Sequence, residues 1–112
     1  TYTHQILSMI SEESVVEELE KSKKILEELL QNEVGSICFP EGKFSERVVE
    51  LSNKLAYKKK YSSIPGFYHA KNDLDVIARS LVQFAEEKEF KAILKGGDHI
   101  LAFWYKLKHF KR

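Results

Sequence analysis

From Ser11 to Gly35 the chain carries one long helical repeat, and a short apolar run follows it directly. Val15, Val16, Leu19, Leu26, Leu29 and Leu30 recur at spacings of three and four, with Ile25 beside them. Ser11 is placed to cap this helix, and Glu12 and Glu13 sit at the positive end of its dipole. Glu17, Glu20, Lys21, Lys24, Glu27 and Glu28 fall largely on the other side, which reads as a solvated face. Asn32, Glu33 and Gly35 end the helix. Ser36-Ile37-Cys38-Phe39 then reads as a buried strand, as in a parallel sheet covered by helices. Pro40-Glu41-Gly42 is a sharp turn, because proline fixes φ and glycine permits positive φ.

Helices and strands go on alternating downstream, with no internal sequence repeat. Ser45 or Phe44 starts a second helix, with Ser45-Glu46 suited to cap it and Val48, Val49, Leu51, Ser52, Leu55 and Ala56 on one stripe. Lys58-Lys59-Lys60 reads as its solvated end, with cations facing the negative end of the dipole. Tyr61-Ser62-Ser63-Ile64 is predicted to be a strand, and Val76, Ile77, Leu81 and Val82 mark another buried segment. A helix is predicted from Phe84 to Lys95, stopped by Gly96-Gly97. Asp98 caps a last helix carrying Ile100, Leu101, Phe103, Trp104, Leu107 and Phe110. That helix is expected to pack on the domain and leave its basic end in water. Alternating strands and helices predict an α/β fold with parallel strands.

The chain has 112 residues, enough for one ordinary domain, and a net charge of +1. A general nucleic-acid binder would be strongly basic, so that class is set aside. Cys38 is the single cysteine, so no internal disulfide forms. Between Ile37 and Phe39 it reads as a small packed hydrophobe rather than a nucleophile. No apolar run approaches the roughly 18 residues of a transmembrane helix, and a membrane partner is not expected.

Several motifs come in a recognisable order. Thr1-Tyr2-Thr3-His4 is similar to the tail of a His-Thr-x-x-His metal motif, whose first His would fall one residue before Thr1. Ser11-Glu12-Glu13, Glu18-Leu19, Ser22-Lys23 and Leu26 follow. Phe39-Pro40-Glu41-Gly42 resembles a Pro-Tyr-Gly motif, with Glu41 in place of Tyr and no Arg upstream. Leu55-Ala56-Tyr57 resembles Ala-Gly-Tyr, Pro65-Gly66-Phe67 a Pro-Gly loop, and Leu74–Val82 a segment in which Arg79 matches an Arg. Glu89–Gly96 resembles a Glu-Phe-Lys-x-x-Leu-x-Gly segment. In this order and spacing the chain resembles the polysaccharide deacetylase family of NodB homology.

The resemblance implies the C-terminal part of a distorted (β/α) barrel, with residues 1–112 a portion of one deacetylase-like domain. It implies that His4 ligates a divalent metal, zinc. It implies that the backbone N–H of Glu41 holds the oxyanion and that Arg79 orients a catalytic carboxylate. Tyr68, His69 and Asn72 lie on the loop after Pro65-Gly66, where aromatic and amide groups suit a sugar. The implied reaction is metal-assisted hydrolysis of N- or O-acetyl groups on an acetylated polysaccharide, in the cell envelope or outside the cell. The family's Thr-Phe-Asp-Asp and terminal Leu-x-Leu-His motifs are not in these residues. The chain alone is therefore expected to be inactive, and a non-catalytic carbohydrate-binding or assembly role is the alternative. Half a barrel would leave Leu7, Met9, Ile10, Ile37, Phe39 and Ile64 uncovered. That implies self-association or pairing with a missing N-terminal half.

Overall fold

Ser11 has extended backbone, and its hydroxyl accepts the Ser14 N–H, so the helix starts where the sequence places its cap. This helix, α1, runs Glu12–Leu30 in the computed structural model of the chain and ends at Gln31 in left-handed conformation. The structure describes residues 1–66, 75–83, 85–97, 100, 103–104 and 107–108. A 3-10 turn, Leu7–Met9, precedes α1. Then come β1 (Ser36–Cys38), a second 3-10 turn (Pro40–Gly42), α2 (Glu46–Lys54), β2 (Lys59–Tyr61), β3 (Val76–Ile77) and α3 (Glu87–Leu94).

The strands form one parallel sheet in the order β1-β2-β3. Ile37 pairs with Lys60 and Lys60 with Val76, and all three are buried. Their cluster includes Val15 and Leu19 of α1 and Val48, Val49 and Leu51 of α2, so this face of the sheet carries the core. The next row, Cys38, Tyr61 and Ile77, is exposed at Cys38 and half-buried at the other two. β1 is thus covered on one face only, and its pattern alternates where a run buried on both faces was expected. The result is a mixed α/β fold built on a small parallel sheet.

Lys58-Lys59-Lys60 does not form the solvated end of α2. The helix stops at Lys54, and Ala56 turns left-handed with φ 62. This turn brings the Tyr57 N–H to the Ser52 carbonyl and the Lys59 N–H to the Gly35 carbonyl, so β2 starts early. Lys60 is therefore buried in the central strand. Its Nζ donates to Asn53 Oδ1 at 2.8 Å and lies 3.7 Å from Asp75 Oδ2, which compensates the charge. The predicted strand at Tyr61–Ile64 is accordingly shifted towards the N-terminus.

Two further expectations change. Leu7, Ile37, Phe39 and Ile64 are buried within the chain, Ile10 is half-buried, and of that group only Met9 is exposed. The core is closed by α1, α2 and the turns themselves. At the other end, Ile100, Phe103, Trp104 and Leu107 are exposed, so the last helical stretch does not pack on the domain at these positions. The core cluster runs from Leu7 to Val76, and α3 buries no side chain.

Candidate functional site

The C-terminal ends of parallel strands are where α/β sheets place their chemistry, because successive loops converge there. At the end of β1, Cys38 is exposed, since period-two alternation turns Ile37 and Phe39 inward and Cys38 outward. The packed-thiol reading of Cys38 is thereby corrected. The chain continues through Phe39, whose ring lies 5.4 Å from that of Phe44.

In the Pro40–Gly42 turn, Glu41 has φ 53 and Gly42 has φ 69. The expected sharp turn is present, with two consecutive left-handed residues where the sequence assigned one to Gly42. The turn is closed by Gly42 N–H to Phe39 O at 2.8 Å and Lys43 N–H to Pro40 O at 3.1 Å. It presses on the end of β2: a Cβ on Gly42 would meet the Ser63 backbone N at 2.6 Å. The exposed carboxylate of Glu41 pairs with Lys43 Nζ at 2.8 Å, so its charge is partly neutralised beside the turn.

Arg79 follows β3 and reaches across the same end of the sheet. Its Nε donates to the Ser62 carbonyl at 2.9 Å, and its Nη2 lies 2.7 Å from Cys38 Sγ. Its backbone N–H bonds the Ile64 carbonyl at 3.1 Å. One side chain thus links the ends of β1, β2 and β3. Arg79 and Glu41 were both singled out in the sequence, and both lie at this end. The Cys38 contact was not foreseen, although strand parity carried the signal.

His4 comes from the segment before α1. It is exposed, with φ 62. The segment is fastened by Glu18, a buried carboxylate of α1 that accepts the Thr3 N–H at 2.8 Å and the Thr3 hydroxyl. In the sequence Glu18 stands only as part of the Glu18-Leu19 motif. Burial raises the Glu18 pKa, but the bonds from the Thr3 hydroxyl and amide outweigh it and hold the carboxyl below its ordinary range. Tyr68, His69 and Asn72 lie outside the described residues. Among the described residues no three His, Cys, Asp or Glu side chains are grouped to hold a metal ion. His4 by itself does not make the donor set of a zinc site, which takes three protein ligands when catalytic.

Residues 1–59 match the family model for polysaccharide deacetylase, a span that includes Thr1–His4 and the whole Pro40–Gly42 turn. The chain belongs to the polysaccharide deacetylase family. Among solved structures it is similar to the Streptococcus pyogenes deacetylase PplD in complex with acetate. The two are 23% identical with a TM-score of 0.70, over 80% of this chain and 41% of that one. At this identity the likeness is one of fold, and the chain spans less than half the length of that protein. Comparison with curated proteins gives no match.

Proposed function

We propose that this chain is part of a metal-dependent deacetylase that removes N- or O-acetyl groups from a cell-surface polysaccharide. The observation that carries the reading is the family match over residues 1–59, which takes in both the His4 motif and the Pro-Glu-Gly turn. In this reading His4 supplies one imidazole to a divalent metal, zinc, and the other ligands come from outside the described residues. When bound, such an ion polarises the acetyl carbonyl and its attacking water. The Glu41 backbone N–H, held in a rigid turn, faces the developing oxyanion, as a backbone donor does regardless of its side chain. Arg79 orients the carboxylate that acts as base. Tyr68, His69 and Asn72 contact the sugar.

The half-open row Cys38, Tyr61 and Ile77 then faces the interior of a (β/α) barrel, with α1 and α2 on its outside. Residues 1–112 are the C-terminal portion of that domain, and the protein works in the cell envelope or outside the cell. The second half of α1 exposes Ile25, Leu26, Leu29 and Leu30, and we place contact with another copy or with the rest of the domain on that face.

Zinc titration by calorimetry tests the metal assignment: His4→Ala is expected to lose most of the affinity, and equal affinity removes His4 from the site. Acetate release from an acetylated oligosaccharide by the 112-residue chain is expected to stay at background. Chelator-sensitive release by this chain would show that it holds a complete site. The non-catalytic carbohydrate-binding reading is separated by the same oligosaccharide: saturable binding with neither zinc affinity nor acetate release would favour it.

A further inference from the structure

The described helical positions after Gly97 present an exposed apolar stripe. Ile100, Phe103, Trp104 and Leu107 stand at i, i+3, i+4 and i+7, the spacing of one helix face. They are 68%, 62%, 65% and 38% exposed. Lys108, next to the stripe, is exposed as well. The sequence around it is strongly basic. Residues 95–112 hold Lys95, Lys106, Lys108, Lys111 and Arg112 against Asp98 alone, a net +4 within a chain of net +1. The remainder of the chain is therefore net −3.

We infer that the helical positions Ile100, Phe103, Trp104 and Leu107 lay their apolar stripe into an anionic lipid surface. Two features select a bilayer over a protein partner. Trp and Phe side by side on a face edged by lysine match the boundary between headgroups and acyl chains, where aromatic rings settle and cations meet anionic lipid. Charge is concentrated there as well: five basic side chains against one acidic within residues 95–112 are drawn to an anionic plane. No described helix is long and apolar enough to cross a membrane. The inference stands apart from the deacetylase reading, since none of these residues belongs to the sheet end carrying Glu41 and Arg79.

Trp104 is the sole tryptophan, so its fluorescence reports on the stripe directly. The 112-residue chain is titrated with vesicles of phosphatidylcholine, with and without phosphatidylglycerol. The expected result is a saturable blue shift on the anionic vesicles that weakens steeply with salt and is much smaller on phosphatidylcholine alone. Phe103→Glu with Leu107→Glu is expected to abolish the shift. Lys106→Gln with Lys108→Gln is expected to weaken binding roughly 30-fold, about fivefold per basic side chain. All four substitutions leave the Leu7–Val76 core untouched, and circular dichroism checks that each variant is folded. Three outcomes overturn the inference: no shift at millimolar anionic lipid, equal binding to both vesicle types, or a shift that grows with protein concentration in the absence of lipid. The last would mean that a second copy covers the stripe.

Discussion

Gly42 and Ala56 both adopt left-handed backbone, and they differ in how well the side chain suits it. At Gly42 the conformation is combined with close approach: an added Cβ would meet Ser63 Oγ and the Ser63 backbone N. Gly42→Ala is expected to cost about 2–4 kcal/mol, the sum of left-handed strain and a backbone that must move. Urea unfolding measures it. At Ala56 the strain is already present, because a Cβ sits where the family resemblance has Gly. Ala56→Gly is expected to raise stability by about 0.5–1 kcal/mol, read as a shift in urea midpoint at unchanged slope. Glu18 links residue chemistry to pH. Its folded-state pKa lies below the ordinary 4.5, so its contribution is full above that value. As pH falls below it, the unfolded chain takes up the proton first, and the contribution is gone once the folded carboxyl also titrates. Glu18→Gln is expected to lose about 1–3 kcal/mol near neutral pH and to flatten the acid limb of the stability profile. Thermal melts across pH 3–7 check both.

Two ties between elements stand out. The Tyr57 hydroxyl, just before β2, donates to the Leu19 carbonyl of α1 at 3.0 Å, and Lys23 Nζ lies 5.0 Å from the centre of its ring. Burial and the nearby Glu27 hold the phenol above its ordinary pKa, so it stays a donor. Strand β3 is the second case. It is two residues long, too short to hold itself to the sheet by ladder bonds alone. The Arg79 guanidinium and amide lengthen that attachment through the Ser62 and Ile64 carbonyls. Arg79→Ala is expected to speed hydrogen exchange at the Ser62 amide, which bonds Ile77 O, roughly fivefold, the effect of losing one hydrogen bond of about 1 kcal/mol. Unchanged exchange would mean that the backbone bonds and Val76 packing hold β3 without the Arg79 side chain.

For the whole molecule, the buried cluster from Leu7 to Val76 is formed by residues of this one chain, so cooperative unfolding of the isolated chain is expected. Apart from Tyr2 and Met9, the large apolar side chains left outside among the described residues lie on α1 and in the C-terminal third, not on the sheet. Association in solution is therefore expected through α1. Light scattering at tens of micromolar should show species larger than a monomer, and Leu29→Glu with Leu30→Glu should return the chain to monomer. A wild-type chain that is monomeric there would remove α1 as an interface.

Local rules carried the fold class far. The caps at Ser11 and Ser45, the period of α1 and the Pro-Glu-Gly turn depend on neighbours within a few residues, and each appears where the sequence places it. Motif order carried the family in the same way, since order survives substitution. The start of β2, the burial of Lys60, the tether of Thr3 by Glu18 and the meeting of Arg79 with Cys38 were settled by packing. Each joins residues well separated in the chain, or depends on a neighbour to compensate a buried charge. Lys60 shows the reason: three lysines in a row favour water, and one is buried only because Asn53, the Tyr57 carbonyl and Asp75 converge on its ammonium.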